Sequence, residues 1–442
     1  MITIKKRLSS SQIIILGFAG VILFGSILLT LPFSTRDGHG ALFSDALFTA
    51  TSAVCVTGLV VQDTATYWST FGQAVIIALI QIGGMGVVTV AIAISSFSGK
   101  QISLKQRSTM QEAISAHKVG GIVRLTGFII KMTIIFELLG AVIMAPTFCK
   151  EFGVLKGIWY AVFHSISAFC NAGFDLMGAK TPYSSLTYFV DNPVINFVIM
   201  SLIIIGGIGF MTWDDIKVNK YHVRKYRMQS KVILITTVLL ISLPALYFFL
   251  FEFGDKPMGE RIWSSLFQSV TPRTAGFNTA DLTLISETGT AITIMLMLIG
   301  GSPGSTAGGM KTTTLAVLFS TAISVFRRRE HTHFFGRRVN DDTIRNAATI
   351  LMMYVILFLT GGFLISRIES LPLLTCLYET ASAIGTVGLT LGITPNLGIA
   401  SQIILIVLMY IGRVGGLTLI FSALSGNQGN TARPPQEKIT VG

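Results

Sequence analysis

Four short segments of this chain close on a glycine inside a run of small residues. They are SAVCVTGLV (52–60), SAFCNAGFD (167–175), VTPRTAGFN (270–278) and SAIGTVGLT (382–390). Their glycines, Gly58, Gly173, Gly276 and Gly388, follow one another at intervals of about a hundred residues, and a recurring period sets the architecture before any single motif is read. In three of the four a serine stands six positions before the glycine; the third has Val270. Glycine visits positive φ without a Cβ clash, so successive carbonyls of such a segment can turn to one side. A cation leaving water needs oxygen ligands in exchange for its hydration shell, and rings of backbone carbonyls supply them. Any one loop also reads as an ordinary turn glycine, but that reading does not explain four in register.

These segments need elements to hold them. The chain is 51% apolar and 12% charged, against roughly 25% charged in an average soluble domain, and its mean hydropathy is +0.69. It reads as an integral membrane protein. Each unit is predicted to open with an apolar helix (12–31, 122–148, 230–253 and 343–367). A stretch of about a dozen residues follows, such as 42–53 or 371–383, too short to cross a bilayer of about 30 Å as a helix. It leads into the glycine segment, and a long second helix follows (71–98, 192–213, 286–325 and 399–424).

The expected fold is therefore all-α and membrane-embedded: four parallel helix–pore loop–helix repeats, eight transmembrane helices, around one central pore with pseudo-fourfold symmetry. The repeats are bounded at 1–98, 99–213, 214–325 and 326–424, with a tail over 425–442. Basic residues cluster at Lys5–Arg7, Lys100–Arg124, Lys217–Lys231 and Arg327–Arg345, always between repeats. The positive-inside rule puts these loops and both termini in the cytoplasm, so the net charge of +12 reads as topology, with no nucleic acid implied. The first apolar run is too long for a signal-peptide core.

A second landmark stands in each second helix: IGGMG (82–86), IGGIG (205–209), IGGSPGSTAGG (299–309) and IGRVGG (411–416). In the first two, the glycines fit either close helix packing or a pore-facing wall. The third interrupts an apolar stretch with Gly300, Gly301, Pro303, Gly304, Gly308 and Gly309, beside Ser302, Ser305 and Thr306. It is predicted to unwind near mid-membrane, with a plain helix kink as the alternative. It is no phosphate-binding loop, because Met310 displaces Lys311 from the GxxxxGK[ST] pattern.

Arg413 lies inside an apolar helix, where an unmet charge costs about 2.5 kcal/mol or more, so it is expected to face the pore below the glycine segments. Arg273 is expected to point behind its segment to a carboxylate, with Glu379 as candidate. Lys311 either adds charge to a vestibule or snorkels. Asp63, Asp175 and Asp281 follow glycine segments and either concentrate cations or are solvated loop charge. Cys55 and Cys170 share one repeat position and read as small, tightly packed residues. The four cysteines have no CxxC spacing, His331 and His333 make no metal site, and no nucleophile–base constellation is present, so no enzyme is indicated.

The four segments, the IGG landmarks and the Gly-Arg pair of the last helix resemble the Trk/Ktr/HKT superfamily of potassium and sodium transport proteins. The likeness covers about 12–424 and is greatest to a bacterial Ktr-type membrane subunit. It implies a selectivity filter at Val56-Thr57-Gly58, Asn171-Ala172-Gly173, Thr274-Ala275-Gly276 and Thr386-Val387-Gly388, with potassium at the backbone carbonyls. Glycine at 58, where sodium-selective members carry serine, implies potassium. The resemblance also implies an intramembrane gate over Gly300, Gly301, Ser302, Pro303, Gly304, Ser305, Thr306, Gly308, Gly309 and Lys311, restrained by Arg413. Its further implications are a homodimer in a bacterial cell membrane, a cytosolic nucleotide-binding regulatory ring, and no cofactor in this chain; sodium activation is left open. The tail over 427–442 would help at the dimer interface. Cys55 and Cys170 depart from the small or polar residues found there in other members. Two alternatives stay open: a sodium- or proton-coupled carrier, for which Glu137 is the one clear carboxylate in a first helix, and a sodium-permeable member of the same superfamily.

Overall fold

A computed structural model describes residues 9–91, 103–114 and 121–415. The tail over 425–442 and the expected helix ends at 92–98 and 416–424 lie outside the described residues. One order of elements recurs four times. First come α1 (Ser10–Leu29), α2 (Phe43–Cys55) and α3 (Thr70–Met85). A connecting helix, α4 (Leu104–Ala113), precedes α5 (Ile122–Phe152), α6 (Val154–Phe169), α7 (Pro193–Gly207) and α8 (Phe210–Asn219). Then follow α9 (Met228–Tyr247), α10 (Met258–Val270), α11 (Glu287–Leu298) and α12 (Thr312–Phe326). The last set is α13 (Asp341–Glu369), α14 (Leu373–Gly385) and α15 (Ile399–Val414).

The opening helix of each set is long and apolar enough to cross a membrane; α9 does so by running on to Glu252. Their starts are written locally. Ser9 accepts from the amide of Gln12, whose side chain returns to the amide of Ser9, a reciprocal cap on α1. Asn340 caps α13, and Asp341 and Asp342 in its first turn oppose the positive end of the helix dipole. Only 33% or 28% of each spanning window is buried, so one stripe packs inward and the rest faces lipid.

The second helices differ from expectation. The third is interrupted at 299–311 as expected, but 71–98, 192–213 and 399–424 do not run unbroken: the first breaks at Gly86 and is helical again over 87–91, and the second and fourth break or end at their glycine landmarks. α3 ends at Gly86 (φ 86°) and α15 at Gly415 (φ 88°); α7 breaks before Gly209 (φ 93°) and resumes as α8 at a 95° bend. α11 ends before the 299–311 loop. A left-handed glycine removes the next turn of the helical ladder, and neither periodicity nor hydropathy registers this. By length and composition the described helices supply four spans, or five if the bent pair counts as one; α3, α11, α12 and α15 are shorter apolar helices. The all-α expectation has one local exception, an antiparallel hairpin of β1 (His333–Phe334) and β2 (Arg337–Arg338). His333 sits on it with Nε2 at 3.2 Å from Arg329 Nη1, and no group of metal-ligating side chains forms among the described residues.

The first and last described helices meet: Tyr410 on α15 donates its hydroxyl to the carbonyl of Ile15 on α1 at 2.7 Å. Between the first two sets, Trp159 on α6 donates to Gln73 on α3 at 2.9 Å. Near the end of α5, Lys180 donates to Glu151 at 3.0 Å.

Candidate functional site

The short helices α2, α6, α10 and α14 each run into a glycine segment. The residue two places before each glycine is left-handed and is not glycine: Val56 (φ 58°), Asn171 (φ 59°), Thr274 (φ 67°) and Thr386 (φ 51°). The glycines that follow, Gly58, Gly173, Gly276 and Gly388, have φ of 94°, 68°, 80° and 94°. A left-handed residue with a side chain costs about 1–2 kcal/mol, and β-branched valine and threonine are rare there. Bonds back to the short helix hold the strained turn. Thr57, Ala172 and Val387 donate their amides to the carbonyls of Ser52, Ser167 and Ser382, each at 2.8 Å, and Ala275 donates to Thr271 at 3.0 Å. The serine noted in the sequence adds a second tie in two segments. Ser52 Oγ accepts from the Gly58 amide at 3.1 Å and Ser382 Oγ from the Gly388 amide at 2.9 Å. With the amides used on the helix side, the carbonyls are left for the other.

On that other side the segments meet. A Cβ on Gly58 would stand 2.5 Å from the carbonyl oxygen of Ala172. On Gly173 it would stand 2.8 Å from that of Ala275, on Gly276 2.4 Å from that of Val387, and on Gly388 2.2 Å from that of Thr57. The contacts run first to second, second to third, third to fourth and fourth to first, a closed cycle. Each obstacle is backbone, with no flexible end to give way. The landmark glycines pack just behind: a Cβ on Gly83, Gly206 or Gly412 would lie 2.1 to 2.2 Å from the carbonyls of Val54, Phe169 and Ile384, at the ends of the short helices. In the first two landmarks the helix glycine therefore packs, while Gly86 and Gly209 turn the chain.

The 299–311 loop is unwound, as expected. Its freed backbone groups are taken up by the landmark ends of two other helices. Ser302 N donates to Gly207 O at 2.9 Å, Gly309 N to Gly412 O at 3.2 Å, and the loop's Gly304 O accepts from Phe210 N at 2.7 Å. Within the loop, Gly300 N donates to Met310 O at 2.7 Å and Gly301 O accepts from Thr312 N at 3.0 Å. Thr306 donates its hydroxyl toward Phe169 O (3.1 Å) and Asn171 Oδ1 (3.2 Å), and a Cβ on Gly308 would meet Thr386 Oγ1 at 2.1 Å. The loop thus lies against the second and fourth segments. Arg413 donates from Nη1 to Thr306 O and from Nη2 to Gly83 O and Gly84 O, the last at 3.1 Å, which ties the loop to the ends of α15 and α3. Lys311 folds back on the loop, Nζ to Ala307 O (2.9 Å) and Gly308 O (3.2 Å). Both cations line a cavity of about 300 Å³, so Lys311 faces a vestibule and does not snorkel.

One sequence expectation fails. Arg273 and Glu379 do not pair. Arg273, 4% exposed, donates Nη2 to Thr237 Oγ1 at 3.3 Å, and its Nε has no partner among the described groups. Glu379 is fully buried and accepts the hydroxyls of Thr390 and Thr394, the latter at 2.9 Å. Hydroxyls at the end of its own segment and four residues beyond it satisfy the carboxylate. The acidic residues after the segments are turn-builders. Asp63 accepts the amides of Ala65, Thr66 and, across sets, Tyr183 at 3.0 Å; Asp175 accepts Met177 N at 2.8 Å; Asp281 accepts Thr283 N at 2.9 Å. Cys55 and Cys170 are fully buried, as read from their positions. Glu137 lies beside Cys170 and accepts from Gln81 Nε2 at 3.3 Å. The sequence reading missed the four left-handed residues: valine and threonine carry no signal for that conformation, and of the four only Asn171 is of a type that favours it.

Comparison with known proteins agrees with this architecture. The TrkH family model, described as "Cation transport protein", matches residues 10–431. The chain is 40% identical to "Potassium/sodium uptake protein NtpJ" of Enterococcus hirae, over 99% of this chain and 98% of that protein. It is 38% identical to "Ktr system potassium uptake protein B" of Bacillus subtilis, over 98% and 97%. The crystal structure of the potassium transporter TrkH from Vibrio parahaemolyticus superposes with a TM-score of 0.72 at 21% identity, covering 94% of this chain and 86% of that one, a likeness of fold. With its apolar spans, this is a multi-pass membrane protein of a transporter family and not of an enzyme family. The chain belongs to the TrkH family of cation transport proteins.

Proposed function

We propose that this protein is the membrane subunit of a bacterial potassium uptake system, conducting through a ring of carbonyls at its four glycine segments. One observation carries the reading: the closed cycle in which the carbonyls of Thr57, Ala172, Ala275 and Val387 each abut the glycine of an adjacent segment. Such a ring replaces a cation's water shell with oxygens at little net cost, and the carboxyl ends of four short helices add favourable partial charge. In this reading the four sets of helices are parallel repeats with pseudo-fourfold symmetry, their second helices completing eight transmembrane segments around one pore. The loop over Gly300–Lys311 is the gate, and its bonds to Arg413 and Asn171 support that role. A separate regulatory subunit is proposed from the relatives named for a Ktr system, and the resemblance noted in the sequence adds a homodimer and a cytosolic nucleotide-binding regulator to the proposal. Passage of sodium beside potassium is a second reading, favoured by the relative named for uptake of both ions.

Growth of a potassium-uptake-deficient bacterium at low potassium, with and without this chain, tests the proposal. Rescue is expected. A correctly inserted protein that gives no rescue refutes it. The Gly58→Ser variant, run beside it, is expected to gain sodium permeation; unchanged sodium permeation would count against the filter.

A further inference from the structure

The short hairpin of β1 and β2 turns through Phe335 and Gly336, and both have positive φ, 49° and 76°. Two-residue turns of this hand favour Asn-Gly, Asp-Gly or Gly-Gly, because a side chain is costly in the left-handed region. Phe335 is a bulky aromatic in that place, and it is 53% exposed. The basic residues around it follow from topology alone. A strained and exposed phenylalanine does not, and such outliers gather at functional sites.

Contacts on two sides set the level of this tip. Phe334, beside it, packs against a small cluster of Val317 on α12, Val339 and Ala347 on α13. Thr332, leading into the hairpin, donates its hydroxyl to that of Thr321 on α12 at 3.1 Å. At a rise of about 1.5 Å per residue, Val317 lies roughly 13 Å back from the end of α12 at Phe326, so the hairpin folds back along the helix. On the other side, Lys231 Nζ lies 5.7 Å from the centroid of the Phe335 ring. Lys231 is in the first turn of α9, one of the spanning helices. The tip therefore stands level with the end of an apolar span, near the exposed Phe319 and Phe326 of α12. Arg337 pairs across the hairpin with Phe334. Neither Lys231 nor Arg337 has an ion pair among the described residues, whereas Arg338 pairs with Asp341 at 3.0 Å.

We propose that Phe335, Lys231 and Arg337 form a site for an anionic phospholipid. The ring enters the boundary between headgroups and acyl chains, and the two cations meet the phosphate. An apolar tip flanked by lysine and arginine suits that interface, where anionic headgroups attract cations. A soluble acidic partner would meet residues beyond the helix ends, whereas this tip is level with the first turn of a span. The site is separate from the ion path and does not depend on it.

Fluorescence of the full chain in vesicles of phosphatidylglycerol and phosphatidylcholine tests it, with bromine on the acyl chains of one lipid or of the other. Phe335→Trp adds one indole to the four tryptophans of the chain, and the difference from wild type isolates its emission. Most of the added emission is expected to be lost to brominated lipid, with a shift to shorter wavelength. Each cation near an anionic surface is worth about fivefold in association. Quenching should therefore favour phosphatidylglycerol, and adding Lys231→Gln or Arg337→Gln should each cut that preference about fivefold. Unquenched emission at long wavelength leaves the tip in water, open to a soluble partner, and overturns the proposal. Unquenched emission at short wavelength places it against a second copy of the chain and overturns it too, as does equal quenching by the two lipids. Phe335→Gly reads the same site without a probe. Glycine relieves the left-handed strain, so its melting temperature in detergent should match or exceed wild type. Added phosphatidylglycerol should raise the melting temperature of the wild type and not of this variant. An equal rise in both, or a lower melt of the variant in detergent, assigns Phe335 to packing and overturns the proposal.

Discussion

Thr306 and Asn171 are hydrogen-bonded, hydroxyl to Oδ1 at 3.2 Å, across 135 residues of chain. This contact joins the unwound loop to the second glycine segment, and the same hydroxyl lies 3.1 Å from Phe169 O at the end of α6. Displacement of the loop and the shape of the segment are therefore linked by one buried side chain.

Thr306→Val keeps the shape and deletes the donor. With buried acceptors left short of a partner, stability should fall by about 1–3 kcal/mol. A thermal melt of the purified protein measures this, and sodium leak in vesicles should rise with it. An unchanged melt and leak would mean that the loop and the segment are held together by something else.

Arg413 holds three carbonyls belonging to the loop and to the end of α3. Arg413→Ala frees the loop and removes a cation from the vestibule, so flux should rise about tenfold, the effect of 1.4 kcal/mol on a barrier. Arg413→Lys, with a single ammonium in place of a fork, should fall between the two. Equal or lower flux in a folded alanine variant rules out restraint by this residue.

Gly58 and Gly38 separate backbone strain from crowding. Both have positive φ, but a Cβ on Gly58 meets the Ala172 carbonyl at 2.5 Å, while one on Gly38 meets nothing within 4 Å. Gly38→Ala should cost about 1–2 kcal/mol and leave transport intact. Gly58→Ala should abolish potassium uptake, measured as rubidium flux. Matching phenotypes would show that φ alone sets both.

Arg273 is buried beside Thr237 with no carboxylate partner among the described residues. Replacing a poorly compensated buried charge by an apolar side chain of similar length is often neutral or stabilising by about 1–4 kcal/mol, so Arg273→Met should melt at or above wild type. Had Arg273 paired with Glu379, the same change would strand a carboxylate and cost about 3–5 kcal/mol. The sign of the shift in melting temperature decides between them.

The Arg273–Glu379 expectation shows where sequence reasoning stops. Opposite charges in an apolar chain suggest a pair, but the partner is chosen by which groups already lie within reach. For Glu379 these are Thr390 at the end of its own segment and Thr394 in the turn after it. The expected length of the second helices failed for a related reason. Hydropathy continues through Gly86, Gly209 and Gly415, whereas the helical ladder depends on φ at those residues.

What the chain determined by itself is what depends on near neighbours. The four glycine segments in register, the four spanning helices with caps such as Ser9 and Asn340, and the unwinding between Ile299 and Lys311 all follow from local composition and period. Tertiary structure alone decided the left-handed turns at Val56, Asn171, Thr274 and Thr386, since neither valine nor threonine adopts that conformation unless surrounding bonds compensate its cost. It also decided that Gly388 closes on Thr57 and that Arg413 reaches the loop. Those relations join residues as much as 331 positions apart. Their free energy comes from desolvated backbone groups finding partners, and that choice is made only when the four segments meet.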